Sequence, residues 1–201
     1  QYLFGVHPHG IHSLGAGMLV WENGPFYAKY PRLSSETRGV VASVLFFVPW
    51  VREAFLAAGY RDASRPVCER ILEEGKSLYI IVGGSREALE TEKGKDRVYL
   101  KRRRGFVRLA LRKGVPLVPC YTFGLVDMYD TWKEPLLELR RWMVSKLQLC
   151  VPIFSGVWGT SIPYRKELTF AIGEPIPVPQ IDDPSDKVVD EYLEKYIKGL
   201  V

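Results

Sequence analysis

The sequence predicts an α/β fold, a layered αβα sandwich around a mainly parallel sheet. Two observations carry this: β-rich runs alternate with segments whose apolar residues recur at helical spacing, and Gly or Pro punctuates most junctions. A third is scale. The chain has 201 residues, 47% hydrophobic and 25% charged, which is enough to bury a continuous core without metal or disulfide staples. One unit over residues 1–201 is therefore expected.

Tyr2-Leu3-Phe4-Gly5-Val6 reads as a buried strand. Residues 11–21 read as a helix, weakened by Gly15 and Gly17. From Thr37 to Ala58 the apolar residues are too dense for a simple amphipathic face, and Gly59 is the expected stop. Its densest part, Val40 to Ala58, is compatible with a buried core helix and equally with a greasy acyl-chain channel or membrane-facing surface. Ser64 is expected to cap a helix with Pro66 in its first turn, Val67, Ile71 and Leu72 on one face, and Gly75 as terminator. Leu78 to Val82 is the next strand, ending at Gly83-Gly84.

A helix marked by Phe106, Leu109 and Ala110 closes at Gly114, and a strand runs from Val115 to Phe123. Its two prolines, Pro116 and Pro119, predict an edge position or irregular pairing. A longer helix is expected from Pro135 to about Leu149, and a strand over Glu167–Ile172. The last helix, capped by Ser185 or Asp186 and running through Lys198, should bury Val188, Val189, Tyr192, Tyr196 and Ile197. In parallel sheets ligands gather beyond the carboxyl ends of the strands. The loops His7–His12, Gly83–Leu89 and Phe123–Trp132 are expected to converge there.

Cys68, Cys120 and Cys150 are far apart and odd in number, so the chain predicts neither a disulfide framework nor a thiolate zinc site, and a reducing compartment fits best. The formal charge of +5 calls for an acidic partner: nucleic acid, a phosphate-bearing cofactor or an anionic membrane surface. Nucleic acid is disfavoured, because the basic residues lack interleaved aromatics apart from Tyr99 and no nucleic-acid motif accompanies them. No stretch reaches the roughly 18 to 20 apolar residues of a spanning helix. The chain opens without Met inside a strand, so a fragment lacking N-terminal membrane or targeting segments is expected.

All three histidines fall in His7-Pro8-His9-Gly10-Ile11-His12. Histidine moves protons near neutral pH, and in extended chain His7 and His9 would share a face. Gly83-Gly84-Ser85-Arg86-Glu87 offers backbone N–H groups, a hydroxyl and a carboxylate that can position an acceptor or orient a histidine, although an ordinary strand-to-helix turn has the same composition. Lys93 to Arg104 is strongly basic. Arg102, Arg103 and Arg104 beside a helix start at Gly105-Phe106 suit phosphate, whereas a charge run by itself is usually a solvated face. Two rivals remain at this point. A metal-dependent hydrolase would need a third protein ligand, and no histidine lies beyond the run. A non-catalytic lipid-binding module leaves the histidines unexplained.

The motifs Tyr2 to Gly10 around HPHG, Val82-Gly83-Gly84-Ser85-Arg86-Glu87-Ala88-Leu89, Arg104-Gly105-Phe106-Val107-Arg108-Leu109-Ala110, Val118 to Gly124 and Gly173-Glu174-Pro175-Ile176 together resemble the diacylglycerol acyltransferase type 2 family, which includes monoacylglycerol and wax-ester acyltransferases. The resemblance implies a glycerolipid-acyltransferase-like fold and transfer of a fatty acyl group from acyl-CoA, a co-substrate rather than a bound cofactor, to a neutral lipid hydroxyl. Diacylglycerol is the first acceptor, with monoacylglycerol or a wax alcohol as the alternative. It also implies work at the endoplasmic reticulum membrane or a lipid droplet. The expected catalytic residues are His9 as base, His7 on the oxyanion or steadying the site, and Glu87 as acidic partner. Gly10, Gly83, Gly84, Ser85, Arg102, Arg103, Arg104, Gly105 and Phe106 are expected to bind substrate, and no metal is expected. Five residues beyond His9 stands Leu14, where distant relatives of that family carry aspartate, so the acidic partner stays open.

Overall fold

A computed structural model describes residues 1–200. Strand β1 (Leu3–His7) leads into three short helices, α1 (Leu14–Gly17), α2 (Pro25–Lys29) and α3 (Pro31–Ser35). Then come β2 (Thr37–Val41), a 3₁₀ turn over Ser43–Phe47, α4 (Val51–Ala57), β3 (Arg61–Asp62), α5 (Arg65–Glu73), β4 (Ser77–Ile81) and α6 (Gly84–Glu90). The second half holds α7 (Gly105–Lys113), β5 (Leu117–Phe123), a 3₁₀ turn over Leu125–Met128, β6 (Asp130–Trp132), α8 (Leu137–Leu147), β7 (Ile153–Ser155), β8 (Thr169–Ile172) and α9 (Asp186–Leu200).

The expected α/β class holds: a six-stranded sheet runs β3-β2-β4-β1-β5-β8, parallel throughout except for β8, which is antiparallel to β5. Strand β1 lies inside the sheet with all five residues buried. Its alternate side chains feed two cores. Leu3 joins Leu78 and Leu117 against Ile71, Leu111 and Val189 from α5, α7 and α9. Phe4 and Val6 join Tyr79, Val118 and Cys120 against Ala16, Leu19 and Phe26. Each such aliphatic side chain contributes roughly 1.5–3 kcal/mol. Among the described residues no helix is long and apolar enough to cross a membrane.

Several expectations change. Residues 11–21 form only the four-residue α1 and turns, since two glycines in its span cost a helix about 1 kcal/mol each. Thr37–Ala58 is not a buried helix: it splits into β2, a 3₁₀ turn and α4, and neither the turn nor α4 has a buried residue. Ser64 makes no side-chain cap to α5; instead its N–H donates to Asp62 Oδ1 at 2.7 Å. Strand β5 is not an edge, because β8 covers it. The alternative, irregular pairing, is what occurs: Gly173 N–H donates to the Pro119 carbonyl, and contact with β5 resumes only at an isolated bridge between Leu117 and Ile176. In α9 the fully buried residues are Val189, Leu193 and Tyr196, with Val188, Tyr192 and Ile197 only partly covered.

Candidate active site

Beyond the carboxyl ends of β1 and β4 lies a cavity of about 1370 Å³. Polar groups on its wall include His9, Ser13, Ser85, Arg86, Arg102 and Arg103, and Val41, Leu45, Phe55, Ile80 and Ile81 make it greasy. Two of the three expected loops reach it. The third, Phe123–Trp132, contributes no wall residue; its Leu125, Met128 and Tyr129 pack on Ile11 and back the histidine loop from outside the cavity.

The two leading histidines part company. His7 is fully buried and is not on the cavity wall. Its Nε2 stands 3.1 Å from Tyr196 Oη. The tyrosine hydroxyl donates its only proton to the Gly5 carbonyl at 2.9 Å, so the imidazole must donate through Nε2–H and keep Nδ1 unprotonated. Nδ1 has no partner among the described residues. Burial pushes the His7 pKa down to about 4, which fixes the ring as neutral. Gly5 makes this possible, since a Cβ there would collide with the Tyr196 hydroxyl. The expectation that His7 and His9 share a face fails because the strand ends at His7 and the period of two ends with it.

His9 is half-buried on the cavity wall. Its Nδ1 lies 2.9 Å from the Gly10 carbonyl. A carbonyl only accepts, so Nδ1 carries the proton and Nε2 presents a lone pair. Ser13 Oγ is 3.4 Å from either ring nitrogen, at the limit of hydrogen bonding. Burial lowers the proton affinity of His9, the Gly10 carbonyl opposes this, and the Arg103 and His12 charges lower it further. His12 is exposed and stacks edgewise on Tyr129 and Phe154.

Glu87 does not touch the His9 ring. Its Oε1 accepts the His9 backbone N–H at 2.6 Å and its Oε2 accepts the Tyr99 backbone N–H at 2.7 Å. The carboxylate therefore ties the histidine loop, α6 and the basic segment together as a backbone clamp, and the expected acidic partner of the ring is replaced by the Gly10 carbonyl. Burial raises the Glu87 pKa, against both backbone N–H groups and Arg103. Gly83 must lack a side chain because a Cβ would run into that carboxylate. Ser85 and Gly84 are on the cavity wall, but Ser85 Oγ donates to the Gln148 carbonyl at 2.9 Å.

The basic segment divides. Arg103 donates through Nη2 to the Gly83 carbonyl at 2.6 Å and leaves a buried Nε without a partner among the described residues. Arg86 and Arg103 both lie over the Tyr99 ring, at 4.4 and 5.7 Å from its centroid. Arg104, by contrast, forms a two-pronged pair with Asp190 of α9 at 2.6 and 2.7 Å. Phe106 packs its ring on Tyr196 at 4.9 Å, and neither it, Gly105 nor Arg104 is on the cavity wall. Arg104 and Phe106, expected to bind substrate beside the helix start, are instead carried by packing to the α9 side. Tyr196 is the residue whose role the sequence hid. Its position on the buried face of α9 was legible, and a buried tyrosine hydroxyl demands a partner, but only the fold names that partner.

Cys120 is fully buried and its thiol is pushed up to about 12, so it stays protonated and is no nucleophile at neutral pH. Among the described residues no three His, Cys, Asp or Glu side chains come together as a metal-binding group.

Comparison with known proteins gives a consistent family. A sequence model described as diacylglycerol acyltransferase matches residues 1–201. Diacylglycerol O-acyltransferase 2 of Dictyostelium discoideum is 33% identical over the whole of this chain and 64% of its own length. The Mus musculus protein of the same name is 35% identical over the whole chain and 55% of its length. Human acyl-CoA wax alcohol acyltransferase 1 is 33% identical over the whole chain and 64% of its length. The chain thus spans just over half to under two thirds of these relatives. No solved structure matches.

Proposed function

The chain belongs to the diacylglycerol acyltransferase family, and from that premise we propose that residues 1–201 are the catalytic domain of an acyl-CoA-dependent O-acyltransferase, with a glycerolipid-acyltransferase-like layering. It moves a fatty acyl group to the hydroxyl of a neutral lipid, diacylglycerol first, giving triacylglycerol. A wax alcohol or monoacylglycerol is the alternative acceptor, and the human wax alcohol relative is nearly as similar as the diacylglycerol ones. The workplace is the endoplasmic reticulum membrane or a lipid-droplet surface, where such acceptors reside.

The observation that carries this reading is the setting of His9: Nδ1 stands 2.9 Å from the Gly10 carbonyl, which calls for the Nδ1–H tautomer, and Nε2, with only Ser13 Oγ at 3.4 Å, lies on the wall of a large, mostly greasy cavity. Nε2 takes the acceptor's hydroxyl proton as the alkoxide oxygen attacks the thioester carbonyl. The tetrahedral intermediate collapses with cleavage of the C–S bond, and coenzyme A leaves as a thiolate, a far better leaving group than an alkoxide. The imidazolium then returns its proton to solvent or thiolate. Arg102, Arg103 and Arg86 supply the positive wall for the phosphates of acyl-CoA. His7, occupied by Tyr196, steadies β1 and takes no part in oxyanion binding.

The test is release of free coenzyme A from oleoyl-CoA in detergent micelles containing diacylglycerol, monoacylglycerol or a long-chain alcohol. Acceptor-dependent release that disappears in folded His9→Ala is expected. Equal release by both proteins removes His9 from catalysis.

A further inference from the structure

The Ser43–Ala57 segment has two working sides. Leu45 and Phe55 face the His9 cavity, while Phe46 and Leu56 line a second cavity of about 500 Å³ on the sheet edge formed by β2 and β3. That second cavity brings five cationic side chains, Arg38, Arg52, Arg61, Arg70 and Lys76, against two carboxylates, Asp62 and Glu74. Lys76 pairs with Glu74 at 2.6 Å, and Asp62 accepts from Ser43 Oγ and the Ser64 N–H. Among the described residues the four arginines form no ion pair. Arg38 and Arg61 are nevertheless held, through Nη1, on the carbonyls of Ser35, Thr37 and Tyr60.

Beside this cavity Phe47 and Trp50 stand 84% and 86% exposed. Trp50 has φ 69°, a left-handed backbone that costs a non-glycine residue on the order of 1 kcal/mol, and a ring so bare gains little internal packing to offset it. A merely solvated basic face accounts for the arginines but not for two large bare aromatics next to them. A bilayer surface matches both, since lipid phosphates suit guanidinium forks and aromatic rings settle at the headgroup boundary.

We propose that this patch docks the protein on a bilayer bearing anionic phospholipid, with a headgroup phosphate in the arginine cavity and Phe47 and Trp50 in the interface. Docking would hold the segment that also walls the His9 cavity close to the membrane that contains a lipid acceptor. This last consequence rests on the transferase reading; the docking itself does not.

Flotation with phosphatidylcholine vesicles, with and without phosphatidylserine at equal total lipid, tests it. The wild-type chain is expected to prefer the phosphatidylserine vesicles and to lose that preference as salt rises. Arg52→Gln with Arg70→Gln should weaken that binding by roughly 25-fold, about fivefold per cation removed. Phe47→Ala with Trp50→Ala should weaken binding to both vesicle types. All four positions are exposed, and thermal melts verify that the variants fold. Coenzyme A release in detergent micelles should be unchanged in the arginine variant, so failure of the transferase reading, seen as an inactive wild type, stays distinguishable. Equal binding to both vesicle types, or phosphatidylserine binding untouched by the arginine changes, overturns the proposal. So does self-association that depends on Phe47 and Trp50 without vesicle binding, which would assign the patch to a second copy of the chain.

Discussion

His7 and His9 are two residues apart and sit in opposite chemical settings. His7 ends the central strand, fully buried, with one nitrogen on a tyrosine and the other without a partner among the described residues. His9 lies just past the strand, on a cavity wall, with its proton pinned to the neighbouring carbonyl. The same side chain is enclosed in one place and open to a cavity in the other. What differs is the partner of each ring nitrogen and the access to solvent or substrate.

The largest effect that should separate them is catalytic. His9→Gln is expected to lower coenzyme A release by about 10²–10⁴ while leaving urea unfolding close to wild type. His7→Gln should do the reverse, lowering unfolding free energy by about 2–4 kcal/mol through a disturbed buried site, with turnover per folded molecule far less affected. Matching losses of turnover per folded molecule would erase the contrast.

Protonation gives the next test. The folded pKa of His7, about 4, lies below the ordinary histidine value of 6.5, so between those limits the unfolded chain binds more protons than the folded one. Stability attributable to His7 is therefore full above pH 6.5 and falls as pH drops toward 4, by about 3 kcal/mol at 1.36 kcal/mol per pH unit. Glu87, raised by burial, acts in the opposite sense: above the ordinary carboxylate pKa its ionisation makes the folded state less stable as pH rises. The His7 contribution is read as the difference between wild-type and His7→Gln unfolding curves across that window. For His9, whose pKa is lowered, the acid limb of the kcat/KM profile should lie below pH 6.5.

Gly5→Ala sharpens the buried side. The new methyl meets the Tyr196 hydroxyl and should cost about 1–3 kcal/mol in urea unfolding, partly recovered when Tyr196→Phe removes the oxygen. Absence of any recovery would mean the clash is relieved elsewhere. Glu87→Gln probes the shared clamp. One of two backbone N–H groups loses its acceptor, at about 1–3 kcal/mol, and the position of the kcat/KM acid limb should hardly move, because Glu87 binds the main chain of His9 rather than its ring. A large shift of that limb would restore Glu87 as the ring's partner. The smallest effect belongs to Arg104→Gln. Its pair with Asp190 is nearly half exposed, so about 1 kcal/mol or less is expected, with an unchanged KM for acyl-CoA, whereas Arg102→Gln should raise that KM.

Much of the architecture was readable from local pattern. Strands at Leu3, Leu78 and Leu117 were visible as apolar runs, and the helices ending at Gly75 and Gly114 as periodic segments with a stop. The histidine run and the glycine pair after β4 pointed to the right end of the sheet. Where local pattern failed, a distant partner decided. Val40 to Ala58 read as one dense apolar stretch, but pairing of β2 with β4 and β3 takes up its start and leaves Phe47 and Trp50 outside. Pro116 and Pro119 pointed to an edge position or irregular pairing, and β8, covering β5 with a broken ladder, decided for the second.

The sequence by itself determined the α/β class, the strands at Leu3, Leu78 and Leu117, the helices that end at Gly75 and Gly114, the histidine-bearing loop and the family motifs, because each is written in contiguous residues. Only the tertiary structure decided that His7 belongs to Tyr196, 189 residues away, that Glu87 clamps main chain instead of an imidazole, and that Arg103 and Arg104 part to different sides. Those outcomes depend on which lone pairs and protons meet after burial, and hydrogen-bond complementarity between distant segments leaves no periodic trace along the chain.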